Sequence, residues 1–513
     1  MTISNCAACS GLSGSAQVTP SATTTYTATA TDSGGATATA SATVTVVQAG
    51  GLDQKIKHII IYMQENRSFD HYLGQLGAYR QRVHGLPASD IDGPDLNKVF
   101  TDINGAKYKL FHTPTVCTDV TSPGWNESHF FAHRKDGAWQ MDFWVRQQSD
   151  SQGSTIDPRY TRSLGYYTEQ ELPYYYELAT QFATSDRMFG SVMGPTIPNR
   201  MYLFTGTSFG HIRPDPVPDG GWTQKTFFEW MTEHGIKWKY YFQNGAVYLA
   251  DFDVWTRGTT PGTADTNAQL TVGRVRNIAE FYSILADPKA DELLAPVVFI
   301  EQDPSEPYQT VKEVGYNEHP SNKYGFQVGA NRTKKILDAL MASAAWKSSV
   351  FILMYDEGGG FYDHVPPVTV PDPDGIAPIF KSTDLTQGPA PENLPYNFTQ
   401  SGFRVPFIVV SPWVKKGYVS HTAREHTSVL AFIESRFGIP ALPSGRDRFY
   451  AADDFLEFFD FDNPSWLTPP ALPEQPWMNA LLAKDLTDSG TPTTADPKAG
   501  TCDKKLEVAP QVP

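Results

Sequence analysis

Residues 58 to 71 run His-Ile-Ile-Ile-Tyr-Met-Gln-Glu-Asn-Arg-Ser-Phe-Asp-His, an apolar β-branched stretch that breaks off into acid and amide side chains. The pattern predicts a buried strand over Ile59 to Met63, with Glu65 and Asn66 just past its carboxyl end. Three more runs have the same character: Val297 to Ile300, Val350 to Tyr355 and Val405 to Val410. Each is short and rich in β-branched and aromatic residues, as buried parallel strands are. Helical spacing separates them, with Ile336, Leu337, Leu340 and Met341 in one segment and Val429, Leu430, Ile433 and Phe437 in another. Alternation of strand and helix predicts an α/β fold whose sheet is covered by helices on both faces. In such sheets ligands bind outside the carboxyl ends of the strands.

Those ends carry the chemistry. The second run leads to Glu301-Gln302-Asp303, with Asn317-Glu318-His319 soon after. The third ends in Asp356-Glu357, three glycines, then Phe361-Tyr362-Asp363-His364. The fourth is expected to lead to Arg424-Glu425-His426 at the mouth of a helix. Any one of these acids alone reads as a solvated loop residue or a helix cap. Their repetition at successive strand ends points to a metal site made of oxygen ligands, which suits Ca²⁺, Mg²⁺ or Mn²⁺ better than a structural zinc. A further element, Gly190-Ser-Val-Met-Gly-Pro-Thr-Ile-Pro-Asn-Arg200, sets Thr196 between two prolines ahead of a helical pattern. Helix amino termini receive anions. Thr196 there reads either as a helix N-cap or as a hydroxyl placed to attack phosphorus.

The rest of the chain bounds the answer. A formal net charge of −15 over 513 residues disfavours nucleic acid and anionic membrane surfaces as partners. No run of apolar residues is long enough for a transmembrane helix, and no leader is visible at the amino terminus. Cys6-x-x-Cys9 lacks a second ligand pair, and the pairing of Cys6, Cys9, Cys117 and Cys502 stays open. Residues 1–47 are rich in Thr and Ala and alternate with period two about Asp32-Ser33-Gly34-Gly35, which predicts a β-hairpin. This stretch is expected to be a partial immunoglobulin-like module, too short for a sandwich of ~100 residues. Residues 48–53 read as a linker, 54–463 as the catalytic domain and 464–513 as a loosely packed tail rich in Pro, Thr and Asp. Residues 366–402 read as a surface excursion. Aromatic clusters at Phe227 to Trp230 and Trp238 to Phe242 are core, or else contacts for a lipid head group.

Three of these segments, Gln64-Glu-Asn-Arg-Ser-Phe-Asp-His-Tyr-Leu-Gly74, Gly194-Pro-Thr-Ile-Pro-Asn-Arg200 and Tyr355-Asp-Glu-Gly-Gly-Gly-Phe-Tyr-Asp-His-Val-Pro-Pro367, together resemble the phosphoesterase family of non-specific phospholipases C and acid phosphatase A. Arg424-Glu-His-Thr-Ser-Val-Leu430 is similar to its late Asp-His-Thr-Ser-Val-Leu segment, with Glu425 in place of the aspartate. The resemblance covers about residues 54 to 460. It implies an alkaline-phosphatase-like sheet, one divalent cation and a phosphoryl-enzyme intermediate. Carried over, Glu65, Asn66, Asp356 and Glu357 hold the metal, Thr196 completes its shell and acts as nucleophile, and His319 is an active-site histidine. His133 or His129 supplies another: His133 keeps the family spacing to Met141-Asp142, whereas His129 is displaced. His364 is a further candidate. Asn199 and Arg200 clamp phosphate or serve the structure. The implied location is secreted or periplasmic.

The expected activity is phospholipase C, acting on a phospholipid, with a phosphomonoesterase acting on small phosphate esters as the alternative. A surface-binding protein with a vestigial site is the reading from another class. The intact Glu65, Asn66, Thr196, Asp356 and Glu357 set argues against it. The metal's identity, the head group and the oligomeric state are not written in the sequence.

Overall fold

Seven consecutive buried residues, His58–Gln64, form strand β1, the centre about which the rest of the sheet is laid. In chain order the others are β2 Ala183–Ser185, β3 Trp238–Phe242, β4 Val275–Asn277, β5 Val297–Glu301, β6 Ser349–Tyr355, β7 Phe407–Val410 and β8 Tyr418–Ser420. They pair in the order β4-β3-β5-β1-β6-β7-β2-β8. The residues of β1, β5, β6 and β7 are buried throughout, as a sheet covered on both faces requires. Helices α1 Phe69–Leu73, α2 Trp125–Ala132, α3 Pro173–Gln181, α4 Thr196–Thr205, α5 Gln327–Ala342 and α6 His426–Phe437 connect or flank these strands. The α/β architecture therefore stands. Residues 2–3, 24–44, 51–113, 116, 118, 121–146, 161–243, 248–253, 271–302, 316–320, 322, 325–381, 397–450, 452–476 and 509–513 are described by this computed structural model. All four cysteines, Cys6, Cys9, Cys117 and Cys502, lie outside them, as does Asp303.

Register decides where the acids emerge. Glu301 pairs with Met63, and Tyr355 pairs with Gln64, so β5, β1 and β6 run parallel and end almost level. Glu65-Asn66, Glu301-Gln302 and Asp356-Glu357 consequently leave the sheet at one edge.

One strand departs from expectation. β7 pairs antiparallel with both β6 and β2. Its carboxyl end therefore points away from that edge, and its entrance lies there instead. Arg424-Glu425-His426 does not sit at the exit of β7. It follows β8, and Arg424–Glu425 pairs with Met188–Phe189 ahead of α6. The reversed entrance is pinned by Arg404. This fully buried guanidinium donates to Asp363 Oδ1 at 2.8 Å and to Asp70 Oδ1 at 2.7 Å.

The aromatic clusters serve the core. Phe227, Phe228, Trp238, Tyr240 and Tyr241 are buried, and the Phe228 ring packs against Trp238, Tyr240 and Phe299. The excursion over 366–402 ends inside the protein, where Ser401 is fully buried. Parts of the tail are also held. Trp466 donates its Nε1 hydrogen to the Gln181 carbonyl at 2.9 Å, and Gln511–Val512 pairs antiparallel with Lys107–Tyr108.

The chain divides into two compact units, Met1–Gln54 and Lys55–Pro513. In the first, Thr24–Thr31 and Thr37–Val44 form the expected antiparallel hairpin. Asp32 Oδ1 closes its turn by accepting from the Gly34 and Ala36 amides at 2.8 and 2.9 Å, and Gly35 takes φ +83°.

Arg404→Met leaves Asp70 and Asp363 as buried carboxylates without their cation. Urea unfolding is expected to show a loss of about 3–5 kcal/mol, the range for breaking a buried ion pair by removing one partner.

Candidate active site

The turn after β1 places the first two acceptors. Asn66 adopts φ +64°, a left-handed conformation that Asn tolerates better than most residues. Its amide donates to Asp356 Oδ1 at 3.1 Å, which ties the exit of β1 to the exit of β6. Asp356 Oδ1 also accepts from the Glu357 amide at 2.7 Å, and Glu357 Oε2 from the Gly359 amide. Gly359 sits at φ +65° with its Cα against the Asn66 carbonyl, where a Cβ would come within 2.2 Å of that oxygen. The glycines of the Asp356-Glu357-Gly-Gly-Gly motif thus let two chain reversals nest together.

Helix α4 presents Thr196 to this turn. Pro195 is the N-cap and Thr196 the first helical residue, so the threonine does not cap the helix. Its hydroxyl donates to Asn66 Oδ1 at 3.4 Å. Asn199 fixes the loop in front of it: Nδ2 donates to the Val192, Gly194 and Pro195 carbonyls at 3.2, 2.9 and 3.2 Å, and Oδ1 accepts from the Val192 amide at 3.1 Å.

Arg200 is likewise turned inward. It donates from Nη1 to Glu301 Oε1 at 2.8 Å and from Nη2 to Glu65 Oε1 at 3.4 Å, while Nε lies 3.6 Å from Asp356 Oδ2. The Tyr248 hydroxyl donates to Glu65 Oε1 at 2.5 Å, and that of Tyr240 to Glu301 Oε2. Arg200 stacks 4.2 Å from the Tyr248 ring centre. Sequence reasoning missed Tyr248, which lies in no recognisable motif. Glu301 was visible as an acidic strand end, but nothing in the sequence joined it to Arg200.

The site is therefore a dry concentration of negative charge. Burial, then the nearby Glu65 carboxylate, push the Asp356 carboxyl up to about 7. Burial, then Asp356, hold Glu357 well above the usual carboxylate range. Burial raises Glu301 as well, against the pull of Arg200. Asp356 Oδ2 and Glu357 Oε1 are buried and meet no hydrogen-bond donor. Carboxylate oxygens in that state call for a proton or a cation. Glu65, Asn66, Thr196, Asp356 and Glu357 offer only oxygen donors, the chemistry a hard divalent ion takes, but among the described residues Glu65, Asp356 and Glu357 do not bring three ligand atoms within 4.8 Å of one another. A cavity opens beside Glu357, lined also by Ser128, Gly190, Met193, Gly358, Gly402 and Phe403.

The four candidate histidines have different surroundings. His319 is on the turn after Glu318, whose carbonyl accepts from Arg67 Nε and Nη2 at 2.9 and 2.6 Å, so that turn is fastened to the residue following Asn66. His129 is buried in α2, one residue from Ser128 of the cavity wall; burial lowers it to about 4, and Nδ1 donates to the Trp125 carbonyl at 2.6 Å. His133, at φ +43° just past α2, is half-buried, 2.7 Å from Asp142 Oδ1 and stacked on Phe143. His364 has both ring nitrogens engaged, with Asp70 at 2.8 Å and Asp92 at 3.0 Å. Asp70, Asp363 and His364 bring ligand atoms within 4.8 Å of one another, a spacing that could hold a cation. Arg404 already supplies positive charge to both of those aspartates.

The Phosphoesterase family profile matches residues 56–440. The chain belongs to the phosphoesterase family. It is an enzyme of the class that hydrolyses phosphoric esters. Over 462 residues it is 30% identical to non-specific phospholipase C1 of Arabidopsis thaliana, covering 82% of this chain and 75% of that protein. It is 31% identical over 451 residues to the hemolytic phospholipase C of Pseudomonas aeruginosa, covering 80% of this chain but 57% of the relative. Among solved structures, an alkaline phosphatase superfamily protein from Vibrio parahaemolyticus aligns over 78% of this chain and 72% of its own, at 12% identity and a TM-score of 0.35.

Gly359→Ala is expected to destabilise the protein by about 1–3 kcal/mol in urea unfolding, through the left-handed backbone and the clash with the Asn66 carbonyl. Gly35→Ala in the exposed hairpin turn, where a Cβ has no neighbour within 4 Å, meets only the backbone part of that penalty.

Proposed function

We propose that this phosphoesterase is a phospholipase C that uses Thr196 as its nucleophile and one divalent cation as its cofactor. The observation that carries the reading is the approach of the Thr196 hydroxyl to Asn66 Oδ1 at 3.4 Å, at the start of a helix and beside buried carboxylate oxygens that lack donors. Glu65, Asn66, Asp356 and Glu357, with Thr196, would hold the ion. When bound, it lowers the cost of the threonine alkoxide and neutralises phosphate charge.

The chain's own groups do the rest. The opening turn of α4 offers backbone N–H groups to phosphate oxygens. Asn199 keeps the Gly190–Pro195 loop fixed, so the hydroxyl approaches phosphorus from one direction. Arg200 lies between Glu65 and Asp356 and pairs with both, which eases their mutual repulsion. In this reading the phosphoryl group moves to the Thr196 oxygen, and the leaving alkoxide takes a proton from a histidine. We assign that role to His319, whose turn is anchored to Arg67 beside Asn66. His364, with two carboxylates on its ring, is the most constrained of the four candidates. Water then releases the phosphoryl group, with the histidine as base. The diester preference is supported by the relatives, which are named phospholipases C.

Turnover of p-nitrophenylphosphorylcholine well above that of p-nitrophenyl phosphate, abolished by EDTA, is the expected outcome; the reverse preference makes the enzyme a phosphomonoesterase. Thr196→Ala is expected to abolish turnover, with a loss of at least about 10³-fold, while Thr196→Ser keeps part of it. Wild-type activity in the Ala variant removes Thr196 from the reaction.

A further inference from the structure

Outside the active site, a second pair of acids is buried face to face with no cation between them. Glu434 lies on α6 and is 6% exposed; Asp447 lies on the short helical turn Arg446–Phe449 and is 1% exposed. Their elements pack together, and the carboxyl of each bears on the other. Asp447 Oδ2 accepts from the Leu442 amide at 2.8 Å, but Asp447 Oδ1 and Glu434 Oε1 meet no donor. Two dry oxygens in this arrangement are satisfied together by a single hydrogen placed between them.

The surrounding charges do not offer another solution. Glu425, at the start of α6, adds negative charge at Asp447. Arg446 points its guanidinium away, to the Ser191 and Phe398 carbonyls at 2.8 Å each, the Pro371 carbonyl at 2.8 Å and the Tyr202 hydroxyl at 3.1 Å. Tyr450 answers to Glu425 and Arg446. Arg424 and Glu457, from the elements flanking α6, pair with each other.

The same turn grips the helix that carries Thr196. The Arg446 amide donates to the carbonyl of Gly206, the C-cap of α4, at 2.9 Å. Its side chain holds Ser191, in the loop leading into α4, and stacks 4.3 Å from the ring of Tyr202 within it. Asp447 Oδ1 lies against Gly206, where a Cβ would come within 2.7 Å of it.

We propose that Glu434 and Asp447 share one proton in the folded protein, and that this proton fastens the Arg446 turn against both ends of α4. The catalytic half of the proposal rests on Thr196 as nucleophile; the stability half does not. Burial, then the facing Asp447, push the Glu434 carboxyl up to about 10. A carboxyl raised in this way stabilises the fold at low pH. Between the ordinary carboxylate range and about 10 the folded state holds a proton that the unfolded chain has lost, so stability falls as pH rises through that window. Above it the pair is doubly charged, and the turn is released.

The test compares the full-length wild type with Glu434→Gln, whose amide hydrogen bonds Asp447 without a borrowed proton. Thermal midpoints are measured from about pH 6 to about pH 10.5, with turnover of p-nitrophenylphosphorylcholine read at the same points. The expected result is a wild-type midpoint that falls across the range and a flatter curve for Glu434→Gln, so that the variant gains by several degrees at the alkaline end. Its turnover matches wild type at about pH 6 and outlasts it at about pH 10.5, above the window. Asp447→Asn is expected to flatten the curve in the same way, and it serves if the first variant does not fold. Parallel midpoint curves for wild type and a folded variant overturn the shared proton. So does the loss of one bound Mn²⁺ per chain in Glu434→Gln, which would put a cation between the acids. A flattened midpoint with an unchanged alkaline loss of turnover overturns the link to α4. Activity in Thr196→Ala would sink the nucleophile assignment and leave the midpoint comparison intact.

Discussion

Four carboxylates, Glu65, Glu301, Asp356 and Glu357, are buried at one edge of the sheet with a single guanidinium, Arg200, among them. Removing ions from water is costly, and one guanidinium would not offset four carboxyl groups were all of them ionised. The neighbourhood is organised by that imbalance. Two tyrosine hydroxyls and four backbone amides are spent on these side chains, and still two oxygens go without a donor. The strain is tolerable because β5, β1 and β6 supply rigid, fully buried supports directly beneath it. A phosphoesterase gains from such a site, since preorganised charge in a dry setting acts on a phosphoryl group more strongly than the same groups in water.

Much of this was legible in the chain. Strand cores announce themselves through β-branched runs, so β1, β5 and β6 fall where Ile59–Met63, Val297–Ile300 and Val350–Tyr355 predicted, and α6 spans His426–Phe437 as its periodicity suggested. Acids at three parallel strand ends meet when the strands end level, as the pairing of Glu301 with Met63 and of Tyr355 with Gln64 makes them. Family motifs added Thr196 and Asn66, whose side chains do approach each other.

What escaped the sequence is relational. An apolar strand reads the same in either direction, so Phe407–Val410 gave no sign that it runs against its neighbours. Arg200 read equally as a phosphate clamp or a structural residue; only the fold turns it toward Glu65 and Glu301. Tyr248, between stretches of weak pattern, carried no signal at all. The histidines show the limit most plainly. Local context proposed four of them, yet their availability is set by distant partners such as Asp70 and Asp92 around His364.

The reversal of β7 has a structural corollary. Because the chain enters rather than leaves this strand at the reactive edge, the residues just upstream, Gly402 and Phe403, become part of the cavity wall. They belong to no acidic strand exit and hold no cation. The sheet thereby builds the pocket from two sources: strand exits that carry the carboxyl groups, and one strand entrance, held by Arg404, that carries none. A smaller side chain at Phe403 would therefore widen the pocket without touching a carboxyl group.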